Sequence, residues 1–256
     1  MDKNYYRNSL VRNFLFTILG TVFLSIQCLA QEDEKKPPST AIWGQDPVVI
    51  TPGTVNTAPS DAIILLDGTN LDEWESSKGG EAKWKLEDGG MTVVEKSGSI
   101  RTKKSFGDCQ LHIEWRSPAV VVDESQDRGN SGVFLQGRYE VQVLDSYKNI
   151  TYSNGMAGSI YKQHIPLVNA CREPGEWQTY DIIFEAPVFK EDGEICKPGY
   201  FTVLHNGVLI QNHVELKGLT VHSGEPYYEK HDPKQPISLQ DHGCWVSYRN
   251  IWIREL

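Results

Sequence analysis

The chain has 256 residues, 39% of them hydrophobic, enough for one sizeable globular domain with appendages. It carries 25 basic against 34 acidic residues, a formal charge of −9. With no basic cluster to offset that balance, a nucleic-acid or anionic-membrane surface is excluded.

The amino end places Lys3, Arg7 and Arg12 before an apolar run from Phe14 through Leu24 towards Ala30. A positive head, a short apolar core and a small residue before Gln31 read as a secretory signal peptide over residues 1–30, cut after Ala30, rather than a membrane span. The mature protein is then secreted or periplasmic, and no later segment is apolar enough to cross a membrane. Lipid anchoring through Cys28 is the weaker alternative, because Gln27 stands where a small residue is expected. The cut removes three basic residues and one acidic residue and leaves a charge near −11. Cys109, Cys171, Cys196 and Cys244 remain, and an exported setting permits disulfides. Three pairings are open if both bridges form. Cys171–Cys196, in loops flanking one strand-rich segment, is the preferred bridge, whereas Cys109 shares a strand face with Leu111 and Ile113 and reads as a small buried hydrophobe.

Residues 31–59 hold five of the thirteen prolines and read as a tether or loosely laid arm. The domain, residues 60–256, opens with a short strand over Ile63–Leu66, ended by Asp67-Gly68, with Trp74 in the following loop. Trp84–Leu86 and Met91–Val94 flank a Glu-Asp-Gly-Gly hairpin turn, and Ser99–Lys103 is a further strand. Cys109–Arg116 alternates cleanly, Cys109, Leu111, Ile113 and Trp115 against Gln110, His112, Glu114 and Arg116. Pro118–Arg128 is a polar rim loop. Gly129–Tyr147 forms the centre: a Gly-Asn-Ser-Gly turn, a buried strand over Val133–Leu135, and a second strand with Tyr139, Val141 and Val143 on one face. Arg138, Glu140 and Gln142 form its polar face. Acid, amide and guanidinium in one row suit sugar hydroxyls, which both donate and accept; an ion-paired, solvated sheet face is the plain alternative. The matching polar face of Cys109–Arg116 suggests that both strands line one concave surface.

Further strands are expected over Gly158–Gln163, Trp177–Val188, Tyr200–Leu204 and Val208–Leu216, the last two joined around Asn206-Gly207. Lys217–Pro236 lacks periodicity and is long enough for a functional loop, with Tyr227 and Tyr228 as candidates for stacking on sugar. Ile237–His242 and Trp245–Arg254 close the chain. Many short strands, and no amphipathic helix of useful length after the signal peptide, make an all-β sandwich or barrel.

Several segments carry a family resemblance in order: Leu-Leu-Asp-Gly-Thr-Asn-Leu (65–71), Glu-Trp-Arg (114–116), Asn-Ser-Gly-Val-Phe (130–134) and Tyr-Glu-Val-Gln-Val-Leu-Asp (139–145). Gly-Ser-Ile-Tyr (158–161), Gly-Glu-Trp-Gln-Thr-Tyr (175–180), His-Asn-Gly-Val (205–208), Leu-Gln-Asp-His-Gly (239–243) and Tyr-Arg-Asn-Ile-Trp-Ile-Arg (248–254) follow. Over residues 60–256 the chain resembles the 3-keto-disaccharide hydrolase family. The resemblance implies a concanavalin A-like jelly-roll β-sandwich of two antiparallel sheets, a carbohydrate site on the concave sheet, and cleavage of glycosides already oxidised at C3. Glu140, Gln142 and Asp145 also resemble the acid signature of related glucanases, with two departures. Gln142 cannot titrate, and Asp145 has the wrong parity and lies roughly 16 Å along the strand, too far for a retaining carboxylate pair.

A ketone at C3 acidifies the C2 proton, so one base suffices for elimination of the C1 substituent, and later hydration gives net hydrolysis. Glu140 is the candidate base, Arg116 or a metal the enolate stabiliser, and Asp145 or His242 the acid. Gln142, Glu114, Asn130, Arg138, Gln240, Tyr227 and Tyr228 are candidate substrate contacts. Each has a structural reading: Asn130 as a turn residue, Arg116 as a partner of Glu114, His242 as a backbone hydrogen-bond partner. No cofactor is fixed; His164, His222, His231 and His242 with nearby acids leave room for a divalent metal ion. The competing readings are a non-catalytic carbohydrate-binding module and an envelope scaffold.

Overall fold

The computed structural model describes residues 40–54 and 57–256. The segment read as a signal peptide, with Cys28, and residues 31–39 of the expected arm lie outside the described residues. Contacts divide the chain into two units, Met1–Pro47 and Val48–Leu256. In the first, residues 40–47 form neither helix nor strand. The second takes in residues 48–59 of the arm, where Ser60 N–H donates to the Thr51 carbonyl and Thr51 N–H to Ser60 Oγ.

The second unit contains β1 (Ile63–Leu66), β2 (Trp74–Ser76), β3 (Lys85–Glu87), β4 (Gly90–Thr92), β5 (Ile100–Phe106), β6 (Cys109–Arg116), β7 (Ser131–Leu135) and β8 (Tyr139–Val143). They are followed by β9 (Gln178–Glu185), β10 (Val188–Phe189), β11 (Ile195–Lys197), β12 (Tyr200–His205), β13 (Val208–Glu215), β14 (Gln235–Leu239) and β15 (Ser247–Glu255). One antiparallel sheet runs β13-β12-β9-β6-β15-β4-β3, with β1 also on β15; the other runs β2-β5-β14-β7-β8; β10 and β11 form a small ribbon. This is the two-sheet jelly-roll sandwich expected from the sequence. Among the described residues no helix is long and apolar enough to cross a membrane.

Alternation sets how the sheets meet. Cys109, Leu111, Ile113 and Trp115 of β6 are at most 1% exposed and face Val133, Leu135, Tyr139, Val141 and Val143 of the other sheet within one core. Polar anchors cross it: Tyr248 Oη donates to Ser131 Oγ at 2.7 Å and Tyr180 Oη to the Gln142 carbonyl at 2.8 Å. A one-residue slip of β6 would turn all four side chains outward, each large one forfeiting about 1.5–3 kcal/mol of burial, so the register is fixed.

The structure departs from the sequence reading at four places. Trp74 is not in a loop: it begins β2, is 2% exposed, and its indole N–H donates to the Leu65 carbonyl. Gly158–Gln163 is a looped segment with isolated bridges from Ile160 to Val141 and His164, because Gly158 and Lys162 take positive φ (77° and 58°) and break the extended run. The strand expected over Trp177–Val188 is interrupted before β10, where Pro187 lacks an N–H for a ladder. The expected Cys171–Cys196 bridge is absent. All four described cysteines are free: the Cys171 thiol turns towards the Leu144 carbonyl at the core edge, while Cys196 is exposed on β11. Cys109 is fully buried.

Candidate active site

Glu140 and Gln142 project from the outer face of β8, opposite Tyr139, Val141 and Val143. An outer face would ordinarily be wet, yet they are only 4% and 1% exposed. Loops from distant parts of the chain roof them. The 3-10 turn Ser125–Asp127 brings Gln126 to Gln142, whose amide donates to Gln126 Oε1 at 3.3 Å. Residues 158–161 lie along the free edge of β8: Gln142 N–H donates to the Ser159 carbonyl and Tyr161 N–H to the Glu140 carbonyl. Thr220, from the loop after β13, accepts the Glu140 N–H on its hydroxyl at 3.0 Å.

The sheet register places partners beside these two side chains. Glu140 pairs with Phe134 on β7, Phe134 with Ser238 on β14, Ser238 with Arg101 on β5, and Arg101 with Glu75 on β2. Arg101 and Glu75 close the row with an ion pair at 2.8 Å. Gln142 pairs with Gly132, to whose carbonyl Gln240 N–H donates. A Cβ at Gly132 would collide with Glu140 Oε1 and the Phe134 ring; this glycine is needed for space rather than for a turn.

No hydrogen bond or ion pair within the described residues reaches the Glu140 carboxyl. Burial alone therefore acts on it and raises its pKa from 4.5 to about 8. The Gln240 amide oxygen is likewise buried without a partner. Tyr161 Oη shares a hydrogen bond of 2.7 Å with Tyr152 Oη, and its ionisation is pushed up by burial, by Tyr152 and by the nearby Glu140. Lys162 Nζ lies over both tyrosine rings and donates to the His222 carbonyl at 2.5 Å. The arrangement is a dry carboxyl, neutral at pH 7, among amide and phenol groups and beside a half-buried aromatic ring. Such a group exchanges protons near neutrality.

The family model of the 3-keto-alpha-glucoside-1,2-lyase-like domain matches residues 61–254. The chain belongs to this family. A solved structure of a protein from Parabacteroides distasonis, described as a proposed glycosyl hydrolase, is 55% identical, with a TM-score of 0.82 over 85% of this chain and 95% of that one. A second from the same organism, with the same description, is 20% identical with a TM-score of 0.55 over 77% of this chain and 94% of that one, a likeness of fold. No curated protein matches the chain.

Within this 3-keto-alpha-glucoside-1,2-lyase-like domain the sequence candidates separate. Glu140, Gln142 and Gln240 come together. His242 follows Gln240 on the loop leaving β14 and is exposed. Asp145 turns away into a 2.6 Å ion pair with Arg128 and accepts the Tyr147 N–H. Asn130 is buried and donates to the Gln126 carbonyl, holding the 3-10 turn. Arg138 lies 3.7 Å from Glu229. Tyr228 is a structural residue, its hydroxyl donating to the Leu216 carbonyl and accepting the Gly199 N–H, whereas Tyr227 is 56% exposed.

Glu114 and Arg116 require a correction. They do not line a surface shared with Glu140: β6 belongs to the other sheet, its apolar face packs inward, and its polar face therefore points to the far side of the sandwich. There Glu114 accepts from Arg249 Nε at 2.6 Å and Asn250 Nδ2 at 2.8 Å, while Arg116 meets Asp88 and the Trp177 ring. Burial would raise the Glu114 pKa, but His112 at 3.8 Å and the hydrogen bonds from Asn250 and Arg249 outweigh it and hold it at about 2. Burial would lower His112; Asp181 at 2.7 Å and Glu114 overcome it and raise it to about 9.

His164 and His231 bond the Glu215 carbonyl and the Tyr139 hydroxyl. No group of three or more His, Cys, Asp or Glu among the described residues is placed to hold a metal. The sequence reading missed Phe134, Gln126, Tyr152, Tyr161, Thr220 and the Arg101–Glu75 pair. Only Phe134 left a local signal, being out of phase with inward Val133 and Leu135.

Proposed function

We propose that the chain is an exported carbohydrate-active enzyme that cleaves 3-keto-glycosides by elimination across C1–C2, with Glu140 as the group that moves the C2 proton. The observation that carries this reading is the isolation of the Glu140 carboxyl: buried, unpaired, and without a second free carboxylate in its row. Gln142 is an amide and Asp145 is bound to Arg128, so among the described residues Glu140 lacks the second carboxylate of ordinary glycosidases. A C3 ketone removes the need for it. Ionised Glu140 takes the C2 proton, the electron pair forms the enolate, and its collapse breaks the C1–O bond; the leaving oxygen takes a proton and departs as an alcohol. Water then adds H at C2 and OH at C1 of the enone, giving net hydrolysis.

The donors beside Glu140 are the amides of Gln142 and Gln240 and the hydroxyl of Tyr161, and we assign the developing oxyanion to this group in place of Arg116. His242, on the adjoining loop, serves the leaving oxygen at the rim. Phe134 offers a ring to a sugar face. The family's description as 3-keto-alpha-glucoside-1,2-lyase-like supports elimination across C1–C2.

The test is release of the C1 group from a 3-keto-glucoside and from its unoxidised parent, in D2O, by the protein and by Glu140→Gln. The expected result is release from the keto compound only, deuterium at C2 of the product, and a loss of about 10²–10⁴-fold in the variant with saccharide binding kept. Equal release from the parent, or hydrated product that keeps protium at C2, overturns the mechanism. Binding without release from either compound makes the chain a binding module.

A further inference from the structure

The outward face of the β2-β5-β14-β7-β8 sheet continues the Glu140 site in one direction. On the other side, residues 158–161 and Thr220 bond the free edge of β8 and close that end. Towards β2, Phe134, Ser238, Arg101 and Glu75 follow in register, on the face of Glu140 because directly opposed residues share a side of the sheet. Unlike Glu140, all four are partly exposed. Three strand spacings, roughly 14 Å, separate β8 from β5.

The far end of the row has bonding capacity left over. Arg101 Nε and Nη2 both donate to Glu75 Oε1, each at 2.8 Å. No hydrogen bond or ion pair within the described residues reaches Glu75 Oε2 or Arg101 Nη1, and none reaches Ser238 Oγ. With side chains 40% and 30% exposed, the pair contributes little to folding, yet it presents an open acceptor beside an open donor. That is the complement of a sugar hydroxyl, which donates and accepts, and bonds to charged partners are the stronger kind.

A pyranose advances a saccharide chain by about one strand spacing. A unit reacting over Glu140 and Phe134 is therefore followed by one at Ser238 and a third at Arg101, and the closed β8 end makes the reacting unit terminal. We propose that Arg101 and Glu75 hold the third sugar of a chain attached through C1, so that the substrate is a trisaccharide or longer, oxidised on its non-reducing terminal unit. This inference rests on the proposed glycoside cleavage, and its test separates the two.

The full chain is given maltose and maltotriose, each carrying the ketone at C3 of its non-reducing terminal unit. Both release a glucose C4 hydroxyl, so leaving-group acidity is matched and a difference in KM reports the third unit. The expected KM is at least about tenfold lower for the trisaccharide, the weight of one hydrogen bond to a charged group. Arg101→Ala and Glu75→Ala should each bring the two KM values together, with thermal unfolding confirming that the variants fold. Equal KM values in the unmodified protein overturn the proposal, and so does a preference that survives both substitutions. If neither compound is cleaved, calorimetry with the same two compounds decides. A tenfold preference for the trisaccharide, lost in Arg101→Ala, upholds the row without the reaction; equal affinity, or no binding, overturns it.

Discussion

The Glu140 carboxyl holds its proton at pH 7, since burial lifts its pKa from 4.5 to about 8, and this ties the site to stability. Between those values the folded chain keeps a proton that the unfolded chain releases. The Glu140 contribution to folding stability is therefore full below about pH 4.5 and falls as the pH rises to about 8. An amide is neutral throughout, so Glu140→Gln should gain on the parent with pH: little difference in Tm at pH 4.5, and a variant more stable by on the order of a few kcal/mol at pH 9. Thermal unfolding at the two pH values checks this, and a pH-independent difference would mean that Glu140 is not held neutral. If Glu140 is the base, kcat/KM rises with pH towards a plateau above about 8. Glu140 was legible in the sequence because strand parity separates it from Tyr139 and Val141. Its dryness was not, because the groups that roof it, Gln126, Tyr161 and Thr220, come from three separate segments, and only folding brings them to one edge.

At the level of the strands, β6 was read correctly in its bounds and in which side chains face the core, but not in its sheet. Alternation reports a face relative to the core, not which sheet supplies it. The register of β6 with β9 and β15 joins residues far apart in the chain, and nothing local encodes it. The polar face of β6 is consequently a structural network of Asp181, His112, Glu114, Arg249 and Asn250, capped by Trp252 stacked on His112 at 5.1 Å. His112 is raised from 6.5 to about 9, so its contribution is full below about pH 6.5 and is lost as the pH rises through about 9. Glu114 is lowered from 4.5 to about 2, so its contribution holds above about pH 4.5 and is lost as the pH falls towards 2. Both act fully near pH 5–6. His112→Gln should cost about 1.5–3 kcal/mol at pH 6, the scale of a hydrogen bond to a charged group, and less at pH 10. Denaturant unfolding at both pH values reads the difference, and an equal cost at both would mean that the imidazole charge contributes nothing.

For the whole molecule, the sandwich was legible because period-2 patterning and Gly, Pro and Asn turns recur along the chain. The cysteine pairing was not, because spacing cannot show which way a thiol points. With Cys109, Cys171, Cys196 and Cys244 all free, the fold rests on its core without covalent staples. Reductant should leave Tm unchanged. A bridge worth about 2–4 kcal/mol would appear as a fall of roughly 4–16 °C for a domain of this size. Thiol labelling of the folded protein should reach exposed Cys196 first and spare Cys109 and Cys171, whose ionisation burial pushes up to about 12.

The roofing of β8 has one more consequence. β8 is the last strand of its sheet, yet the Glu140 and Gln142 amides that point away from β7 are bonded to Thr220 Oγ1 and the Ser159 carbonyl. Neither amide can trade its hydrogen with solvent until its own loop lifts, and lifting a loop leaves the sheet intact. The two protons are therefore separate clocks for the two sides of the site. Thr220→Val, which keeps the shape but removes the acceptor, quickens the Glu140 amide and leaves Gln142 at its original pace.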